Sequence, residues 1–305
     1  MVHIGVDFGG TKIEVAALDA EGQYLVRERR PNPGEYDAAL RLIRELIDSI
    51  DAQVRQKPGH ADASVPGIGI GMPGSVSPRT GVIRNANSTW LNGKAFRSDL
   101  EHVLERPVRL SNDANCLALS EATDGAGAGA ASVVAIIIGT GCGGGLVREG
   151  RLIEGANGLA GEIGHMALPW PNETEWPGPA CWCGLSGCVE TWVSGTGFAR
   201  DFQATTGRRL RGEEIITAMR EGDAAANEAF GRYVSRLGRT LATIVNLYDP
   251  DVFVLGGGLS NVSELYDRLP EQVAPYVFSD VWEARIVPAR WGDASGVRGA
   301  ARLWA

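Results

Sequence analysis

Lysine is nearly missing from this chain: among 305 residues it stands only at positions 12, 57 and 94. Positive charge as a whole is short, with 29 lysines and arginines against 37 acidic residues and a formal net charge of −8. Nucleic-acid and anionic-membrane surfaces need a basic face, so neither partner is expected. Long apolar runs are missing too. The longest, Val133 to Ile138, is far short of the ~20 residues that span a bilayer. Five cysteines, an odd and low number for this length, disfavour a disulfide framework. The stretch Met1 to Asp7 has neither a basic run nor a small-residue cleavage site, so no signal peptide is read and a cytoplasmic protein is expected. What remains, 44% apolar and 22% charged residues, is ordinary for a folded chain and excludes extensive disorder. A protein that handles a small molecule is the reading that survives.

The chain is about twice the usual domain length, which allows two domains or one large one. A strand is read over His3 to Asp7, then Phe8-Gly9-Gly10-Thr11-Lys12, then a second strand from Ile13 to Leu18. Helical spacing follows over residues 35–51, and a glycine-rich strand runs from Pro66 to Gly71. A short strand from Pro107 to Leu110 meets Ser111-Asn112-Asp113, which has N-cap chemistry for a helix over residues 114–122. The segment Asp124 to Ala131 reads as a linker. Beyond it the opening design repeats: a strand over Val133 to Ile138, a glycine-rich stretch from Gly139 to Gly145, then a strand from Leu146 onward. A long helix around Phe230 to Val245 leads to the strand Val252 to Leu255 and to Gly256-Gly257-Gly258. The stretch Gly292 to Ala301 reads as a small-residue helix packed closely against something. Strands interleaved with helices and a doubled hairpin predict two similar α/β domains. The expected bounds are residues 1–121, completed by the C-terminal helix 292–305, and residues 122–291.

A glycine turn at the end of a strand lets backbone N–H groups approach phosphate oxygens that a Cβ would keep away. Asp7-Phe8-Gly9-Gly10-Thr11 adds a hydroxyl for a phosphate and a carboxylate for the accompanying Mg²⁺. Gly139-Thr140-Gly141 has the same make-up. Two ordinary glycine hairpins would look alike one at a time; the pair is more specific. Gly139 to Gly144 also spells G-x-G-x-x-G, with Glu162 near the acidic position of a dinucleotide fingerprint. That would make the protein an NAD-dependent oxidoreductase. The fingerprint needs a helix directly after its glycines, whereas Leu146-Val147 followed by Arg148-Glu149-Gly150 reads as strand and turn.

His165 followed by Cys181-Trp182-Cys183 and Cys188 makes a full Cys₃His set for zinc. Four protein ligands leave no open position, so such a metal is structural. Fifteen residues separate His165 from Cys181, an insert that includes Pro169-Trp170-Pro171. Asn112-Asp113 stands at a strand-to-helix turn, where a carboxylate either caps the helix or takes the proton of an attacking hydroxyl. Glu162, His165 and Glu190 add groups that bind sugar hydroxyls, and a metal-bound histidine keeps one ring nitrogen for that purpose.

Taken together, Asp7-Phe8-Gly9-Gly10-Thr11-Lys12, Asn112-Asp113-Ala114-Asn115, Gly139-Thr140-Gly141, Glu162-Ile163-Gly164-His165, the cysteine motif ending in Glu190, and Leu255-Gly256-Gly257-Gly258 resemble the repressor/open-reading-frame/kinase (ROK) family of sugar kinases. The resemblance runs nearly end to end. Within the family, Asn85 to Gly93 and Ser194 to Phe198 look most like the bacterial fructokinases, also called manno(fructo)kinases. The resemblance implies the actin-like ATPase fold, with two ribonuclease-H-like α/β halves around a central cleft. It implies ATP with Mg²⁺ and a hexose as substrates, a structural Zn²⁺ and a homodimer. Asp113 matches the base that takes the proton of the sugar 6-hydroxyl. Asn112, Glu162, His165 and Glu190 match sugar-binding positions, and Asn87 belongs to the stretch that favours fructose or mannose. His165, Cys181, Cys183 and Cys188 match the zinc ligands. Asp7, Gly9, Gly10, Thr11, Lys12, Gly139, Thr140 and Gly141 fall in the phosphate loops, Asp7 also facing magnesium, and Gly256, Gly257 and Gly258 lie on the adenosine side. Fructose, then mannose, is the expected acceptor, with N-acetylhexosamine and glucose kinases of the same family as alternatives. A sugar-sensing regulator is disfavoured, because the first glycine strand begins at residue 3 with no DNA-binding segment ahead of it.

Overall fold

Apolar, β-branched runs interrupted by glycine favour antiparallel hairpins, and the chain opens with one. The computed structural model describes residues 1–305. In chain order, its first part holds β1 (His3–Phe8), β2 (Lys12–Leu18), β3 (Tyr24–Pro31), α1 (Tyr36–Arg55) and β4 (Ile68–Met72). A ribbon of β5 (Ser75–Val76) and β6 (Ile83–Arg84), then α2 (Phe96–Leu104), β7 (Val108–Asn112) and α3 (Asp113–Asp124), follow. The second part holds β8 (Ser132–Ile138), β9 (Cys142–Arg148), β10 (Arg151–Leu152), α4 (Glu190–Val193), α5 (Gly195–Thr206) and α6 (Gly212–Arg220). It ends with α7 (Ala224–Tyr248), β11 (Val252–Gly256), α8 (Glu264–Val273), β12 (Arg285–Pro288) and α9 (Ser295–Arg302). No helix is long and apolar enough to cross a membrane.

Two five-stranded sheets share one plan. Their strand orders are β3-β2-β1-β4-β7 and β10-β9-β8-β11-β12. In each, the first strand pairs antiparallel with the second of its hairpin and parallel with a strand that arrives after a helical crossover. Register puts Asp7 opposite Gly71 and Met72 opposite Asn112, so the carboxyl ends of β1, β4 and β7 share one sheet edge. The same holds in the second sheet, where Gly256 lies opposite Ile137. Ligands of open α/β sheets bind at carboxyl edges of this kind.

The chain forms two compact units, residues 1–125 with 151–160 and 293–305, and residues 126–150 with 161–292. Residues 151–160, placed by sequence in the second domain, group with the first unit because β10 packs on α3. In the first unit α1 buries Tyr36, Leu40, Ile43, Leu46, Ile47, Ile50 and Val54 in the core, each contributing roughly 1.5–3 kcal/mol when fully buried. Glu35 caps α1 by accepting from the backbone N–H groups of Asp37 and Ala38. The C-terminal α9 lies directly on β1, β4 and α3. A Cβ on Gly5 would strike the α9 backbone at Val297 and Ala301, one on Gly69 would strike Ala300, and one on Gly299 would strike Cys116 of α3. Glycine is required there by space, and the close-packed small-residue helix expected from the sequence is what forms. In the second unit α7 runs through the core, burying Phe230, Tyr233, Val234, Leu237 and Leu241. One local expectation is corrected: Gly143, Gly144 and Gly145 belong to β9, and the turn is confined to Gly139–Gly141. Gly144 is a strand residue without a side chain because Ile163 and the Gly161 carbonyl occupy the place of its Cβ.

Candidate active site

In the first unit the β1–β2 turn is held by backbone and by one side chain that sequence reading missed. Gly9 N–H donates to the Lys12 carbonyl at 3.0 Å. Asn32, just past β3, donates its amide to the Gly9 carbonyl at 2.7 Å and its N–H to the Thr11 carbonyl at 3.0 Å. Gly10 and Thr11 stay exposed. Ser88 stands beside this turn, its Oγ 3.5 Å from where a Gly10 Cβ would be. It belongs to the Asn85–Gly93 stretch, which is folded around Asn92: that side chain accepts from Ala86 N–H at 2.9 Å and donates to the Ala86 carbonyl at 3.0 Å. Trp90 sets its ring edge-on to Phe8, 5.8 Å between centroids. Asn87 in this stretch is exposed.

At Asn112-Asp113 the N-cap position falls to Asn112. Asn112 is the N-cap of α3, its side-chain oxygen accepting from Asn115 N–H at 2.7 Å. Asn112 therefore offers a ligand chiefly its amide N–H₂. Asp113 is the first helical residue, with an exposed side chain whose Oδ1 accepts from Ala114 N–H at 2.9 Å. Asp7 lies deeper at the same edge. Burial, together with the negative charges of Glu14 and Asp113, pushes its carboxyl up to about 6, while Lys12 and Arg29 pull the other way. A desolvated acid among like charges is a place where a cation is favoured.

The second unit repeats the turn with different supports. Gly139 N–H donates to the Gly141 carbonyl at 3.1 Å, and the Gly139 carbonyl accepts from Gly195 N–H at 2.7 Å. Thr196 Oγ1 donates to the Thr140 carbonyl at 2.8 Å, so the start of α5 is fastened to the turn. Gly257, at φ +83°, presses so closely on Ile138 and Gly139 that an added Cβ would come within 2.8 Å of their backbone. The Gly256–Gly258 turn and the Gly139–Gly141 turn thus form one glycine-lined surface.

Glu190, the first residue of α4, reaches that turn from below. Its Oε2 accepts from Cys142 N–H at 2.9 Å and its Oε1 from Trp182 Nε1–H at 2.7 Å. Gly141 has no side chain because a Cβ there would lie 2.8 Å from Glu190 Oε2. Burial and the Glu190 charge push the Cys142 thiol up to about 12, which leaves it a neutral core group. His165 ends the short helical turn Ile163–His165, and Glu162, just before it, is exposed.

The donor atoms of His165, Cys181, Cys183 and Cys188 all lie within 4.8 Å of one another. Cys181 Sγ is 3.7 Å from His165 Nδ1, and Cys183 Sγ is 3.6 Å from Cys188 Sγ. Tetrahedral zinc with Zn–S of 2.3 Å sets sulfurs ~3.8 Å apart, so the four residues suit that ion. His165 presents Nδ1 to the cysteines and keeps Nε2 for other partners. The insert between His165 and Cys181 is fastened to α7: Glu175 is buried among Arg236 and Arg239 at 2.8–2.9 Å. Arg239 also donates to the carbonyls of Pro169 and Trp170.

An actin-like ATPase fold, two glycine turns at the carboxyl edges of repeated sheets and a Cys₃His knuckle beside an acidic acceptor together define a sugar kinase. The chain belongs to the ROK family, whose sequence model matches residues 3–305. It is 41% identical over 307 residues to an N-acetyl-D-glucosamine kinase of Pectobacterium atrosepticum, covering 99% of this chain and 98% of that one. Among solved structures, a ROK hexokinase from Thermus thermophilus superposes with a TM-score of 0.86 at 33% identity, covering 99% of this chain and 97% of that one. A ROK glucokinase from Streptomyces griseus in complex with glucose and AMPPNP gives a TM-score of 0.75 at 29% identity, covering 99% of each chain.

Proposed function

We propose that this kinase transfers the γ-phosphoryl group of ATP to the 6-hydroxyl of a hexose, with Asp113 as the base. The observation that carries the assignment is the exposed Asp113 carboxylate at the edge of β1, β4 and β7, with Asn112 rather than Asp113 serving as the helix cap. Asp113 accepts the 6-hydroxyl proton as the sugar oxygen bonds to the γ-phosphorus, the bond to the β-γ bridging oxygen breaks, and ADP leaves. In the turns Gly9 to Thr11 and Gly139 to Gly141, the N–H groups of Gly9 and Gly139 brace the turn while those of Gly10, Thr11, Thr140 and Gly141 bind phosphate oxygens, and Gly256 to Gly258 flank the adenosine. Asp7 would hold the Mg²⁺ that accompanies ATP and neutralises phosphate charge, with Lys12 near it. Asn112, Glu162, His165 and Glu190 hold sugar hydroxyls. His165, Cys181, Cys183 and Cys188 would hold a structural zinc, which stiffens the knuckle.

Two acceptor readings rest on different observations. The kinship at 41% with a kinase of N-acetyl-D-glucosamine supports an N-acetylated hexosamine, and this takes precedence over the fructose expected from sequence. The stretch Asn85 to Gly93 supports fructose or mannose through its sequence resemblance to the fructokinases alone, and its packing beside the first glycine turn is compatible with either acceptor. The sugars share the 6-hydroxyl end and differ at carbon 2, where an acetamido group needs room and a partner for its amide. An ADP-release assay with ATP across N-acetylglucosamine, N-acetylmannosamine, fructose, mannose and glucose decides. The highest kcat/KM on an N-acetylated sugar supports the first reading, and the highest on fructose or mannose the second. No turnover of any sugar overturns the proposal. In the same assay Asp113→Asn is expected to lose activity by a factor on the order of 10³ or more while acceptor binding by calorimetry persists; near-normal turnover in that variant rejects Asp113 as the base.

A further inference from the structure

The position between the two cysteines of a Cys-x-Cys pair carries no metal ligand and is open to any side chain, yet here it holds an ordered tryptophan. Trp182 is 62% exposed, and exposure of an indole on this scale normally leaves its N–H to water. Instead its Nε1–H donates to Glu190 Oε1 at 2.7 Å. Its ring stands edge-on to His165, with 4.8 Å between centroids and 84° between planes. The backbone beneath it is a tight turn: Cys181 N–H donates to the Leu185 carbonyl at 2.8 Å and Gly184 N–H to the Cys181 carbonyl at 3.1 Å. The other oxygen of Glu190 is held by Cys142 N–H at the second glycine turn. Each carboxylate oxygen has two lone-pair sites, so this arrangement leaves Glu190 one acceptor site per oxygen in a fixed plane.

We infer that Trp182 is a positioning residue of the acceptor site. Its indole N–H fixes the plane of the Glu190 carboxylate against the sugar, and its ring limits the rotation of His165. Through Glu190 it joins the cysteine knuckle to the Gly139–Gly141 turn, so the order of the knuckle is felt at the group that accepts sugar hydroxyls. This rests on the reading of Glu190 as a sugar-binding residue. Without the indole N–H, Glu190 is held at one oxygen only and turns about its last bond, and the acceptor must be bound by a group that is no longer oriented.

Trp182→Phe keeps a ring and removes the N–H. With N-acetylglucosamine and fructose as probes, KM for the better acceptor is expected to rise about five- to tenfold, the size of one charge-assisted hydrogen bond partly open to water. KM for ATP, bound metal and the thermal midpoint are expected to stay as in the parent. In a Glu190→Ala background, Trp182→Phe is expected to add nothing further to the acceptor KM. In ¹⁵N spectra of the parent protein, the indole N–H signal assigned by its absence in Trp182→Tyr is expected to shift on addition of the acceptor. An unchanged acceptor KM in Trp182→Phe, or equal effects in both backgrounds, overturns the inference while Glu190→Ala still weakens acceptor binding. If Glu190→Ala itself leaves the acceptor KM unchanged, the role of Glu190 fails and the inference falls with it. Should Trp182→Phe lose its metal, the indole signal of the parent decides alone: no shift with acceptor overturns the inference.

Discussion

Asp7 is a carboxylic acid whose chemistry is displaced by its surroundings. Its carboxyl, ordinarily near 3.8, sits at about 6 because it is buried and shares the sheet edge with Glu14 and Asp113. In the unfolded chain the same group ionises near its ordinary value, so between roughly pH 4 and 6 the native state binds the extra proton. Stability is then undiminished below pH 4 and falls as the pH rises through 6, where the native state must hold a buried anion. About two pKa units correspond to ~3 kcal/mol, an upper figure for a group that Lys12 partly compensates. Asp7→Asn is therefore expected to raise the denaturation midpoint at pH 7 in the absence of Mg²⁺, with the gain gone at pH 4, and at the same time to weaken Mg²⁺-dependent activity. A variant no more stable than the parent at pH 7 contradicts the burial argument. The cost at Asp7 is the kind a binding site carries, since a divalent cation would restore the favoured charge balance.

At the scale of elements, two devices hold the site in place. Glycines at 5, 69 and 299 let α9 lie on the first sheet and on α3 without an intervening layer of side chains, which closes the unit that carries Asp7 and Asp113. In the other unit, Glu175 pins the insert ahead of the knuckle to α7 through Arg236 and Arg239, all three 3–4% exposed. Arg236 also pairs with Asp201 at 2.9 Å and lies over the Trp192 ring. Removing one member of a buried ion cluster leaves uncompensated charge, at a cost of roughly 3–5 kcal/mol. Glu175→Ala is expected to lower the unfolding free energy obtained from chemical denaturation by that amount and to loosen the cysteine knuckle, measured as faster zinc release to a chromogenic chelator. An unchanged release rate would show that the insert is not what steadies the knuckle. The sequence marked Pro169-Trp170-Pro171 as an insert of undecided purpose; Glu175 and the two arginines lie 61 and 64 residues apart in the chain, so their meeting has no local signal.

For the whole molecule, the repeated sheet plan is the organising feature. The glycine turns at residues 9–11 and 139–141, the doubled hairpins and the Cys₃His spacing were legible because each depends on residues close together in the chain. Asn32, Thr196 and Trp182 were not legible as parts of the site, since each acts through a hydrogen bond to an element that only folding brings near. Prolonged treatment with a strong chelator is expected to lower both the thermal midpoint and the acceptor affinity, restored on adding Zn²⁺, because four ligands closed on one ion stabilise the knuckle outright. Purified protein that contains no bound zinc defeats this expectation.

From its sequence alone the chain determined where turns must be glycine, which residues can ligate zinc and which carboxylates stand at strand ends, because these are matters of local geometry and ligand chemistry. Tertiary structure alone decided which of Asn112 and Asp113 caps the helix and why Asp7 keeps its proton up to about pH 6. It likewise decided that Glu190 is gripped between a glycine turn and an indole. Capping, desolvation and hydrogen bonding across dozens of residues depend on which surfaces meet, and that is settled only when the sheets and helices pack.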